Sequence, residues 1–422
     1  MWIKGGRVID PATKKDAVAD IEIEGGIIKD IRQSAKAAKK SECIDATGKW
    51  IIPGLIDMHV HFREPGFEYK EDILSGSMAA AAGGITTAVC MANTRPVNDN
   101  PSVTGHIMKK VSDAGIIRVL PVGAATKNME GRELSEMGLM KKAGIVAVSD
   151  DGNPIESAAM MRRAMQYAST FGLILMSHCQ DRTLSGKGVM NEGRLSSRLG
   201  LPGIPNIAED VMVARDIMIS AELGIPVHIT HVSTHGSISA VRDAKKSGVP
   251  VTCDVTPHNL LLTEERVRTY DTNAKMYPPL RSEADRQALI DCLKNGTVDC
   301  IATDHAPHAK DEKDLDFDLA PFGVTGLQTL LPAILKLHYD CRIPLMNILA
   351  MVTINPARIL GIEGGRIDKG GRADIAIVDP KAEWTLTEDM LVSKSKNSPF
   401  IGWKFKGRVT TTIAAGKVVY KA

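Results

Sequence analysis

Residues 57–66 read Asp-Met-His-Val-His-Phe-Arg-Glu-Pro-Gly, with two histidines two positions apart. Ile51, Ile52, Leu55 and Ile56 lead into this stretch, so it reads as the end of a buried strand that starts near residue 51. Strand side chains return to one face every second residue, which sets His59 and His61 about 7 Å apart along the backbone and aims both at one ion. Arg63 and the Glu64-Pro65-Gly66 turn follow at once. A guanidinium is a planar, bidentate clamp for carboxylate, and metal ligands beside such a clamp point to a small anionic substrate.

The elements that must position these groups show in the apolar patterning. Eight apolar runs, at 51–56, 85–91, 117–122, 145–148, 173–176, 227–230, 251–255 and 298–303, alternate with longer helical stretches. Eight such units over about 300 residues predict a closed, parallel (β/α)8 barrel of the TIM type across 51–362. An open doubly wound sheet is the alternative, but no Gly-x-Gly-x-x-Gly follows the early strands. Residues 1–50 and 363–422 carry short strand signals broken by Gly and Pro, which predicts a small composite β-sandwich built from both termini.

A barrel of this kind places its chemistry at the C-terminal strand ends. His59 and His61 end the first run, Asn93 the second, and Asp150 and Asp151 the fourth; His178 ends the fifth, His231 the sixth and Asp304 the eighth, with His308 close behind. Four imidazoles and two carboxylates can hold two divalent ions; zinc suits that donor set, and cobalt or manganese would fit it. Asp151 is assigned as the bridge together with a hydroxide, since ions about 3.5 Å apart need a shared ligand. Asp150 has the opposite parity and reads as structural. Asp304 can ligate an ion, take the proton of the attacking hydroxide and hand it to a leaving nitrogen, acting as general base and then acid. His228, His106, His338 and His305 read as structural, and His235 and His258 as neighbours of the site rather than ligands.

Composition narrows the class. Lys+Arg number 52 against 50 Asp+Glu, which argues against nucleic acid and acidic membranes as partners. No apolar stretch approaches the ~18 residues of a membrane span, and the start does not resemble a signal peptide, so a cytoplasmic protein is expected. Seven scattered cysteines with no Cys-x-x-Cys argue against a disulfide framework and a thiolate zinc site, and read as small core residues.

Taken together, residues 57–66, Gly84 to Pro96 (Gly-Ile-Thr-Thr-Ala-Val-Cys-Met-Ala-Asn-Thr-Arg-Pro), Ser149-Asp-Asp-Gly152, His231-Val-Ser-Thr234, Pro278-Pro-Leu-Arg281, Thr303-Asp-His-Ala-Pro-His308 and Pro321-Phe-Gly323 resemble the cyclic amidohydrolases, and among them the bacterial type I dihydroorotases. The resemblance covers essentially the whole chain. It implies reversible cyclisation of N-carbamoyl-L-aspartate to L-dihydroorotate in pyrimidine synthesis. It further implies one ion on His59, His61 and Asp304, a second on His178 and His231, and Asp151 between them, where relatives often carry a carboxylated lysine. Arg63 and Asn93 would take the substrate α-carboxylate, and His308 the same group or the ring carbonyl. Tyr277 stands where the family commonly has a substrate-contacting Asn. The 310–319 stretch reads as a substrate lid. A homodimer and a complex with aspartate carbamoyltransferase also belong to the family picture. The competing expectations are dihydropyrimidinase, hydantoinase or allantoinase activity, or an inactive scaffold for that transferase; the latter is disfavoured because all four ligand histidines are present.

Overall fold

The computed structural model describes residues 1–33 and 42–422. Its centre is a ring of eight parallel strands in chain order: Leu55–Val60, Ile85–Cys90, Arg118–Gly123, Ala147–Val148, Ile174–Ser177, Val227–Ile229, Val251–Val255 and Cys300–Ile301. The ring closes just past the last strand, where Val60 and His305 form a parallel bridge and His61 N donates to His305 O at 2.8 Å. The first two strands are buried along their whole length, as expected where helices cover the outer face. The covering helices include Ile73–Ala82, Pro101–Ala114, Ile207–Leu223, His235–Lys246 and Glu283–Lys294. Their starts follow from local chemistry: Asn100 accepts from Ser102 N and Val103 N, and Pro101, which lacks a donor, occupies the first turn.

The expected strand at 51–56 is in fact two. Trp50–Pro53 pairs antiparallel with Ile375–Val378 and parallel with Arg7 and Val8, so it belongs to the terminal sheet, and only Leu55–Val60 enters the barrel. The chain changes sheets at Gly54. A Cβ there would lie 2.2 Å from Thr86 Oγ1, so no larger residue fits the crossing.

Both chain ends join in one eight-stranded sheet: Trp2–Asp10, Lys15–Glu24, Ile27–Arg32, Cys43–Asp45, Trp50–Pro53, Ile375–Thr385, Lys404–Ala414 and Lys417–Lys421. Ile3, Val8, Ile21, Ile51, Ile377 and Ile413 share its buried core. Cys43 is exposed on this sheet, which corrects its reading as a core residue, whereas Cys90, Cys179, Cys253, Cys292 and Cys300 are buried. The 310–319 stretch is more anchored than a solvated loop: it opens with the helix Lys310–Lys313 and buries Lys313 and Phe317. Among the described residues no helix is long and apolar enough to cross a membrane.

Candidate metal and substrate centre

Asp151 lies at the middle of the polar cluster. Its Oδ1 is 3.4 Å from His59 Nε2, 3.4 Å from His231 Nε2 and 3.5 Å from His178 Nδ1, and its Oδ2 is 3.4 Å from His61 Nε2. His59, His61 and Asp151 therefore form one group able to hold an ion, and Asp151, His178 and His231 a second, with the carboxylate common to both. Asp304 Oδ1 adjoins the first group, 3.0 Å from His61 Nε2 and 3.5 Å from His59 Nε2. Parity separates the neighbours at 150 and 151. Asp150 turns away and accepts from Ala125 N at 2.8 Å, Thr126 N at 3.0 Å and the Thr126 hydroxyl.

The donors fit divalent cations. Both ring nitrogens of His59 and Nε2 of His178 are buried without a hydrogen-bond partner among the described residues, although such groups are costly to leave unanswered. Burial works against a charged His59, yet facing Asp151 and Asp304 raises it to about 10. Burial likewise opposes ionised Asp151, but the imidazoles around it hold its carboxyl well below the usual carboxylate range. The pocket favours positive charge.

Second-row groups fix this geometry. Asn93 Oδ1 lies 2.8 Å from His61 Nδ1; an amide oxygen can only accept, so Nδ1 carries a proton and Nε2 is turned toward the cluster. Asp57 accepts from Thr303 N at 3.1 Å and Thr303 Oγ1 at 2.5 Å, tying the first strand to the residue before Asp304. Asp254 accepts from His231 N at 2.8 Å and from His228 Nε2 at 2.9 Å. Arg63, His231 and Asp304 have φ of 62°, 39° and 46°, a left-handed backbone uncommon outside glycine. Asp57 and Asp254 carried no assigned role in the sequence reading. Asp57 opens the 57–66 motif, but the partner of Asp254 lies 23 residues away and leaves no local signal.

The residues expected at the substrate end also gather here. Arg63 Nε donates to Pro307 O at 3.2 Å, which leaves its Nη atoms free of backbone, and Nη2 lies 3.4 Å from His308 Nε2. His308 Nε2 donates to Phe322 O at 2.8 Å, so the 3.4 Å approach of Lys70 Nζ meets an accepting Nδ1. Burial, with Arg63 and Lys70 nearby, pushes His308 down to about 3, which makes it a neutral imidazole. Tyr277 stacks on His178 with centroids 5.3 Å apart and packs on Phe322 at 5.0 Å. Of the histidines read as bordering the site, His258 is buried close enough to feel Asp304 and His231, whereas His235 is exposed. His305 supports the loop, accepting from Gly326 N at 3.1 Å and facing Glu71 at 3.4 Å.

Residues 50–419 match the model of the amidohydrolase family. The dihydroorotase of Geobacter metallireducens is 52% identical over 421 residues, covering 100% of this chain and 99% of that protein, and the dihydroorotase of Geotalea daltonii is 50% identical with the same coverage. This chain belongs to the dihydroorotases of the amidohydrolase family. An amidohydrolase fold is equally evident in three dimensions: the L-hydantoinase (dihydropyrimidinase) from Arthrobacter aurescens superposes with a TM-score of 0.88 at 24% identity, covering 100% of this chain and 96% of that one. That likeness speaks to the fold alone. As an amidohydrolase, the chain is a hydrolase of cyclic amide bonds, and its His/Asp groups are of the kind that can hold metal.

Proposed function

We propose that this dihydroorotase interconverts N-carbamoyl-L-aspartate and L-dihydroorotate with Asp304 as the proton carrier and Arg63, Asn93 and His308 as the carboxylate end of the site. The observation that carries this reading is the pair of imidazole groups sharing Asp151, with Arg63 close enough to feel Asp304 and Asp151 and neutral His308 set beside Arg63. Divalent cations, zinc by the nitrogen and oxygen donor set, would be held by His59, His61, Asp151, His178, His231 and Asp304 and would polarise the ring amide and acidify a water.

The chain's own groups account for the remaining steps. Arg63 presents its Nη atoms to the ring carboxylate, a charge-assisted contact strengthened by its burial. Asn93 keeps its Oδ1 on His61 and has Nδ2 to offer the same carboxylate. Asp304 accepts a proton from the attacking water as the C–O bond forms, then returns it to the ring nitrogen as the C–N bond breaks; cyclisation reverses these moves. Tyr277 walls the site by stacking on His178 instead of reaching out as an amide would. Within this reading the protein is cytoplasmic and homodimeric and can associate with aspartate carbamoyltransferase.

The test is hydrolysis of L-dihydroorotate before chelation, after chelation and after zinc add-back, with dihydrouracil, hydantoin and allantoin alongside. Turnover confined to dihydroorotate, lost with chelator and restored by zinc, is the expected result. Turnover of an uncharged ring would remove the carboxylate role from Arg63 and move the enzyme to a sister activity.

A further inference from the structure

A cavity of about 250 Å³ lies on the outer side of His308, between the 310–314 segment, residues 272–273 and the 388–401 segment. Its charged lining is Lys310, Lys313, Lys394 and Lys396 against Asp314 and Glu388. Three of the ammonium groups have no carboxylate partner among the described residues. Lys313 Nζ, buried, donates only to carbonyls: Pro321 O at 2.9 Å, Gly323 O at 3.0 Å and Lys275 O at 3.4 Å. Lys396 Nζ donates to Ser393 O at 2.7 Å and to Leu391 O. Among the described residues Lys310 has no hydrogen bond or ion pair, and of the four lysines Lys394 alone is neutralised, by Asp72. Lys275, buried behind Lys313, repeats the pattern, donating to Phe317 O at 2.7 Å and Asp318 O at 3.0 Å.

A buried cation is normally paired, yet Lys313 meets carbonyl dipoles alone, with half-buried Lys396 and exposed Lys310 beside it, so this wall is short of negative charge. We propose that the cavity binds a small phosphate-type oxyanion through the ammonium groups of Lys310 and Lys396, beside the buried charge of Lys313, and that the bound anion holds the 309–323 segment in place over the catalytic centre. The linkage is direct. Lys313 grips the carbonyls of Pro321 and Gly323, and His308 donates to the carbonyl of Phe322 between them, so one three-residue segment is held from the cavity side and from the substrate side. Gly323 permits that approach: at φ 137° its missing Cβ would lie 2.7 Å from Ala306 O. An effect on substrate binding rests on Arg63 and His308 being the substrate end; anion binding itself does not.

Calorimetric titration of inorganic phosphate into the metal-loaded full chain separates this site from the centre. Three proteins are compared: wild type, Arg63→Met, and the double variant Lys310→Gln with Lys396→Gln. The expected result is binding retained in Arg63→Met and weakened at least tenfold in the double variant, whose turnover of saturating dihydroorotate stays at the wild-type level and reports that it is folded. No binding to wild type, binding lost in Arg63→Met, or binding unchanged in the double variant would each overturn the proposal, the last two by sending phosphate to the substrate clamp or the metals. A failure of the dihydroorotase reading would show in the turnover assay and leave the calorimetry intact.

Discussion

Buried carboxylates in the terminal sheet and at the barrel mouth meet different partners. In the sheet, Asp10 is fully buried and accepts from Ala12 N at 2.9 Å, Thr13 Oγ1 at 2.7 Å and Ile367 N at 3.0 Å, while Asp374 accepts from Ala415 N at 2.7 Å and Arg372 Nε at 2.8 Å. At the mouth, Asp151 faces four imidazoles, and among the described residues the ring nitrogens of His59 have no hydrogen-bond partner. Leaving a buried polar group unsatisfied costs about 1–3 kcal/mol. The sheet avoids that cost and the mouth accepts it, as a region completed by a ligand must.

The largest expected effect lies at the mouth. Asp304→Asn keeps the shape but removes the proton acceptor, and kcat should fall by about 10²–10⁴-fold. Asp151→Asn should go further, because it withdraws the carboxylate common to both candidate ion groups, and metal analysis should find both ions lost. Steady-state rates and metal content on the same preparations check the pair. Full turnover in Asp304→Asn would end its assignment as proton carrier.

The sheet should answer in stability instead. Ile377 is fully buried in the terminal core, away from every candidate ligand, and Ile377→Ala should cost about 2–5 kcal/mol in denaturant unfolding with kcat per folded molecule unchanged. A loss of kcat matching the loss of stability would mean that the two regions are not separable as drawn.

What could be read from the sequence divides along the same line. Period-two spacing placed His59 with His61 and separated Asp151 from Asp150, because strand parity is a local rule. Seven of the eight apolar runs overlap barrel strands, because a strand covered on both faces is apolar along its length, and the first run straddles two sheets. The change of sheet at Gly54 was hidden: residues 51–56 are continuous in polarity, and the approach of Thr86 that demands glycine comes from another strand. Asp254 was hidden too, as was the buried Arg281, which donates to Ser233 Oγ at 3.0 Å and Asn191 Oδ1 at 3.0 Å, since their partners lie 23 to 90 residues away. Composition was silent on the anchoring of 310–319. The stretch reads as a substrate lid, and nothing in its composition shows that one of its lysines turns inward to carbonyls that only the fold supplies.

That lysine gives the smallest and most discriminating prediction, because it is buried like the mouth and hydrogen-bonded like the sheet. Burial, aided by Lys275, lowers Lys313 to about 7 from an ordinary 10.5. Between those values the unfolded chain binds more protons than the folded one, so the contribution of Lys313 to stability rises with pH from about 7 to 10.5. The slope is at most about 1.4 kcal/mol per pH unit for one proton. Lys313→Met should flatten it, leaving the weaker rise due to Lys275, which burial lowers to about 8. Urea midpoints at pH 7 and pH 9.5 measure the difference, and an equal rise in both proteins would mean that the Lys313 ammonium is compensated without a ligand. The anion cavity would then lose its electrostatic reason, and the unpartnered nitrogens at the barrel mouth would stand alone as the mark of a site that a ligand completes.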